Sequence, residues 1–171
     1  MKKLIFLAVI ALVCSCNNSD EEPYDPVAQL QIDLGLIDAH LSDNGQTVQI
    51  HPSGIRYSVN NTGNGDFPIN GDSVTTQYDI YTLSGRLIDT TNEDLARANG
   101  IYSASRSYGP FKYLLGTGTV IEGYEIGTSL LNVGAEGTFY VPSTLAYRNT
   151  PAFGLERNEI LRIRIDVLEI F

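Results

Sequence analysis

The chain reads as an α+β fold: a curved antiparallel β-sheet wrapped on a short α-helix, with a further helix added on its N-terminal side. Three observations carry that reading. Apolar residues recur at helical spacing between Val27 and Leu41, three later segments alternate apolar with polar residues, and one short amphipathic stretch at 121–131 lies between strand-like runs. The 171 residues suit one folded domain with a short N-terminal addition, and no internal repeat is present.

Taken in order, Asp25 and Pro26 supply an N-cap and a first-turn proline. Val27, Leu30, Leu34, Ile37 and Leu41 form the apolar stripe, and Asn44 with Gly45 provides the stop, so a helix is expected over 27–45. That stripe can dock on the domain that follows or on a second copy of the chain. From Gly54 the period becomes two: Ile55, Tyr57 and Val59 share one face of a strand, and Val74, Thr76, Tyr78 and Ile80 share one face of the next. The cluster Gly63, Gly65, Pro68 and Gly71 is the loop between them. Leu83, Ser84 and Gly85 then turn the chain toward Leu87 and Ile88.

Residues 90–108 form a long connection in which Thr91 and Asp94 can make a capping box for a short helix through Leu95 and Ala98, stopped by Gly100. The expectation is a peripheral insertion, dispensable for folding because lengthening a loop costs little. Its place in the chain leaves a substrate-contacting flap open as well. Strands follow at 111–115 and 138–141, and Leu161, Ile163, Ile165 and Val167 alternate with Arg162, Arg164 and Asp166 in a last one. Leu168 and Ile170 break its phase, which predicts a bulge or a chain end there.

The first fifteen residues have the layout of a secretory signal peptide: Lys2 and Lys3, an apolar run from Leu4 to Val13, then small residues. Val13, Cys14, Ser15 and Cys16 are similar to a bacterial lipobox with Cys16 as the acylated residue. Residues 16–26 are polar and acidic and read as a flexible tether. An outer-membrane lipoprotein is expected, facing the periplasm or the cell surface, held to the membrane through a lipid anchor. The net charge of −9 opposes binding to phosphate backbones, so no nucleic-acid partner is expected. His40 and His51 lack the neighbours of a metal site, and Ser143 lacks the setting of a nucleophile. Neither metal nor cofactor is expected.

Residues 110–147, PFKYLLGTGTVIEGYEIGTSLLNVGAEGTFYVPSTLAY, together with GDSVTTQYDIYTLSGRLID upstream, resemble the signature of FKBP-type peptidyl-prolyl cis-trans isomerases. The likeness spans 54–170. It implies a domain at 54–171 that binds proline-containing polypeptides and needs no nucleophile. Carried over by position, Tyr78, Asp89, Phe111, Ile121 and Tyr147 are the expected catalytic residues, and Ile88, Val120, Tyr124, Leu155 and Ile165 the expected substrate pocket. The resemblance implies that the Ile121 N–H and the Tyr147 hydroxyl bond carbonyls of the bound chain while Phe111, Val120, Tyr124 and Ile165 surround the prolyl ring.

Departures from the family pattern lie in the pocket. Tyr124 stands where the family usually has Trp, Ile88 and Ile165 where it usually has Phe, Arg148 where a Gly follows the terminal tyrosine, and the Ile-Pro-Pro of the next loop is absent. Two functions follow: an anchored isomerase assisting the folding of exported proteins, or a catalytically weak module that binds extended polypeptides or protein partners.

Overall fold

The computed structural model describes residues 23–171. The signal peptide and the Cys16 assignment lie outside the described residues. The first element, α1 (Pro26–Asp43), begins at the expected cap: the Asp25 carboxylate accepts from the Val27 and Ala28 N–H groups at 2.8 and 3.2 Å. At its other end Asn44 donates to the His40 carbonyl, and Gly45 turns the chain out with φ +62°.

Seven strands follow, β1 (Gln49–Ile50), β2 (Arg56–Asn61), β3 (Ser73–Thr82), β4 (Leu87–Thr90), β5 (Phe111–Leu114), β6 (Glu136–Val141) and β7 (Leu161–Ile170). All pair antiparallel in the order β1-β2-β6-β7-β3-β4, with β5 also on β3. The ten-residue β3 and β7 form the sheet's spine. Their register slips where Thr75 faces Glu169 and Thr76 faces Val167, which leaves Leu168 as the bulged residue. The phase break read at Leu168 has this cause.

Two helices lie between strands, α2 (Glu93–Ala98) after β4 and α3 (Glu122–Ser129) after β5. The inner sheet face packs on α3 through Phe139, Leu161, Ile163, Ile165 and Val167. Close approach is possible because Gly123 and Gly127 face the sheet. A Cβ on Gly123 would stand 2.2 Å from the Val141 Cγ1, and one on Gly127 3.0 Å from the Ile165 Cδ1.

The outer face carries α1. Ile37 and Leu41 are buried against Tyr140 and Ile160, and Tyr140 points opposite to its neighbour Phe139 because side chains alternate along β6. Gly54, at φ +98°, lets Leu30 and Leu34 approach its backbone; a Cβ there would stand 3.3 Å from each. Arg56 grips Asp38 with two hydrogen bonds of 2.9 and 3.0 Å. Of the two dockings open for the stripe, α1 takes the one on its own domain. Val27, read as part of the stripe, is exposed, whereas Asp33 is buried in it.

The connection at 90–108 differs from expectation in its cap. Asn92, not Thr91, caps α2: its side chain accepts from the Leu95 N–H at 3.0 Å, while the Thr91 hydroxyl accepts from the Tyr78 N–H and donates to the Tyr78 carbonyl. Thr91 is thereby drawn into the edge of β3 and is unavailable to the helix. Beyond that the segment runs over the surface: it is fastened to the sheet at Thr90 and Thr91, and within 92–108 Ala96 is the one buried residue.

Candidate functional site

Alternation on β3 sends Thr76, Tyr78 and Ile80 to the inner face, and pairing of Thr76 with Phe111 brings β5 alongside. The result is a cluster of four rings. Phe111 stacks on Tyr113 at 5.5 Å, Tyr78 meets Phe111 and Tyr124 edge-on at 5.9 and 5.6 Å, and Tyr113 meets Tyr124 at 5.7 Å. Such pairs contribute about 0.5–1.5 kcal/mol each beyond area burial. Above them opens a cleft of about 440 Å³ lined by Tyr78, Ile80, Asp89, Phe111, Gly118, Thr119, Val120, Ile121, Tyr124, Tyr147 and Phe153.

The cleft floor is Tyr124, 3% exposed. A buried phenol needs a partner, and Thr76 Oγ1 provides it at 2.7 Å; Tyr113 likewise donates to Thr128 Oγ1 at 2.9 Å. Burial pushes the Tyr124 hydroxyl well above its ordinary pKa and the Tyr113 hydroxyl up to about 12. Tyr78 is also raised to about 12, by burial first and then by the Asp89 carboxylate that accepts a hydrogen bond from it at 2.9 Å. Burial and the same carboxylate raise Tyr147. The hydroxyls in this site are therefore neutral donors throughout the physiological range.

Arg106, from the long connection, closes the rim. Its guanidinium pairs with Asp89 and donates to the Tyr78 hydroxyl at 3.1 Å. Burial lowers the Arg106 pKa, but hydrogen bonding and attraction to Asp89 outweigh it and hold the group charged. A second, smaller cleft of about 290 Å³ lies between Arg106, Ile80, Ile88, Asp89, Tyr147 and Phe153. Phe153 forms the lip of both clefts, 79% exposed and 5.5 Å edge-on from Tyr147. Among the described residues, neither the Ile121 N–H nor the Tyr147 hydroxyl is paired with a protein acceptor.

Of the ten positions carried over from the resemblance, seven line the larger cleft and Ile88 lines the smaller. Leu155 and Ile165 do not line either. Both are buried in the core, and Ile165 is 0% exposed because it stands beneath α3 beside Gly127. Ile80, Gly118, Thr119, Phe153 and Arg106 were not singled out. The alternation that selected Tyr78 already placed Ile80 on the same face; Arg106 and Phe153 sit in irregular connections with no comparable signal.

The model of the family described as FKBP-type peptidyl-prolyl cis-trans isomerase matches residues 65–168. The chain belongs to this FKBP-type family. It is 38% identical over 117 residues, 67% of its own length, to the protein named "Probable FKBP-type peptidyl-prolyl cis-trans isomerase FkpA" of Neisseria meningitidis serogroup B. It is 38% identical over 77 residues, 45% of its length, to the short-type peptidyl-prolyl cis-trans isomerase of Methanocaldococcus jannaschii. These matches span 38% and 48% of the two relatives. The fold is shared with a crystal structure of a peptidyl-prolyl cis-trans isomerase from Pseudomonas syringae, at a TM-score of 0.63 and 18% identity, covering 87% of this chain and 98% of that one. The FKBP-type family match starts at residue 65, so α1 precedes it.

Proposed function

We propose that this chain is a peptidyl-prolyl cis-trans isomerase, anchored to the outer membrane through Cys16, that assists the folding of exported polypeptides. The observation that carries the catalytic part is the apolar cleft whose two donors, the Ile121 N–H and the Tyr147 hydroxyl, have no protein acceptor among the described residues. The reading of Cys16 comes from the lipobox-like sequence alone.

Rotation about an amide faces a barrier of about 18–20 kcal/mol because resonance makes the C–N bond partly double. At mid-rotation the resonance and much of the amide's charge separation are lost, so the twisted bond is less hydrophilic than the planar one. An apolar enclosure of Tyr78, Phe111, Val120 and Tyr124 therefore favours the twisted state over the planar, hydrated amide. The Ile121 N–H and Tyr147 hydroxyl fix the carbonyls on either side, holding part of the chain still while the rest turns. Asp89 acts on the rim, where it orients the Tyr78 hydroxyl and Arg106. No proton changes hands. The substrates are proline-containing segments, whose two isomers are nearly balanced and interconvert slowly when uncatalysed.

The alternative, a catalytically weak module that binds extended chains, is favoured by the floor itself: the Tyr124 hydroxyl is occupied by Thr76, and Ile88 in the adjoining cleft adds no aromatic wall. A protease-coupled Xaa-Pro peptide assay separates the two. Acceleration supports the isomerase, and binding without acceleration supports the module. Mass spectrometry of the membrane fraction tests the anchor: lipid on Cys16 supports it, and an intact Cys14 in the mature protein contradicts it.

A further inference from the structure

A carboxylate occupies the apolar stripe by which α1 docks on the sheet. Asp33 is 0% exposed. Burying a charge in such a seam is unfavourable unless the group is fully satisfied, and even then an apolar residue of similar size serves docking as well. Asp33 is satisfied: Oδ2 accepts from the Ser143 N–H at 2.7 Å and the Ser143 hydroxyl at 2.6 Å, and Oδ1 from the Gln29 amide at 2.7 Å.

Ser143 begins the 3-10 turn Ser143–Leu145 that leads straight to Tyr147. Its carbonyl accepts from the N–H groups of Ala146 and Arg148 at 3.0 and 2.9 Å, so Tyr147 is bracketed by two bonds to one residue. Arg148 is left-handed at φ 56°, an unfavourable conformation for a residue with a Cβ. What holds it is the bond to the Ser143 carbonyl together with the Asn158 N–H on the Arg148 carbonyl at 2.9 Å.

We propose that Asp33 is a positioning residue for the cleft: from α1 it fixes Ser143, and through the Ser143 carbonyl it aims the Tyr147 hydroxyl at the bound chain. The helix that precedes the family match thereby belongs to the site's support. This rests on the isomerase reading for its catalytic consequence, and on geometry alone for the clamp.

The test uses the full-length chain with Asp33→Ala, Asp33→Asn and Tyr147→Phe. Asp33→Ala should lower kcat/KM on Xaa-Pro peptides by up to about tenfold, bounded by what loss of the Tyr147 hydroxyl itself would cost. In the Tyr147→Phe background the same change should cost under about twofold, because the group it aims is gone. Amide exchange should quicken at Ala146 and Arg148 while remaining slow across β3 and β7. Asp33→Asn, which keeps the shape and one acceptor oxygen, should fall between; if Asp33→Ala does not fold, this variant decides. Equal losses in both backgrounds, or unchanged exchange at Arg148, would overturn the proposal, as would a lowered Tm with kcat/KM intact. If the folded wild type shows no turnover, the isomerase reading fails by itself, and exchange at Arg148 still decides whether the clamp exists.

Discussion

The two walls of the cleft are built on opposite principles. One wall is the ring cluster of Tyr78, Phe111, Tyr113 and Tyr124, mounted on β3, β5 and α3, with every ring braced by another between 5.5 and 5.9 Å away. The other is the connection at 147–158, where Arg148, Phe153 and Asn158 all take left-handed backbone conformations without being glycine. The first wall provides enclosure and is held by packing. The second provides the Tyr147 donor and the Phe153 lip, and hydrogen bonds from outside the cleft hold it in place.

That contrast predicts unequal consequences. Phe111→Ala opens the braced wall and should cost the most, about 2 kcal/mol of transition-state stabilisation or thirtyfold in kcat/KM, with the fold verified by circular dichroism. Tyr147→Phe removes one hydrogen bond from the loop wall and should cost about tenfold or less, with Tm nearly unchanged because the hydroxyl has no partner among the described residues. A larger loss for Tyr147→Phe than for Phe111→Ala would reverse the roles given to the two walls.

Arg106→Ala should have a smaller effect, about two- to fivefold in kcat/KM. It frees the Asp89 carboxylate and the end of the long connection, while Tyr78 keeps its bond to Asp89. Limited proteolysis should then cut within 99–108 sooner than in the wild type. Equal resistance would show that Arg106 does not hold that segment.

The smallest effect expected is that of pH on turnover. With Tyr78 raised to about 12 and Tyr147 raised as well, no tyrosine-linked step should appear in kcat/KM below the ordinary tyrosine value of 10.0. Stability responds instead. The fold favours the protonated Tyr78 and Tyr113 hydroxyls, so their contribution is whole below pH 10.0 and is lost as pH rises through about 12, readable as a falling urea midpoint. A midpoint that stays level across that window would contradict the burial assigned to these two rings.

What could be read from the sequence divides along the same line. Alternation put Thr76, Tyr78 and Ile80 on one face because a strand's side-chain period is two, the resemblance supplied Phe111, and the Leu168 bulge followed from a break in that period. Asp25, Asn44 and Gly45 marked the ends of α1 by local chemistry. The loop wall has no such period. Left-handed residues such as Arg148 and Phe153 give no signal when they are not glycine, and Arg106 reaches Asp89 across 17 residues of connection. Asp33 was hidden for a related reason: a carboxylate at a stripe position reads as solvated until Ser143, 110 residues away, is seen to cover it. Leu155 and Ile165 failed in the other direction, since sequence position does not distinguish the lining of a cleft from the core directly behind it.

The central claim is that the enclosure formed by the ring cluster accelerates rotation about the prolyl bond. Its most direct test is a protease-coupled isomerisation assay on a series of Xaa-Pro peptides, run with the folded wild type and with folded Phe111→Ala. The account predicts clear acceleration by the wild type across the series and loss of most of it in Phe111→Ala. A folded wild type that binds unfolded chains yet accelerates none of the peptides would contradict it.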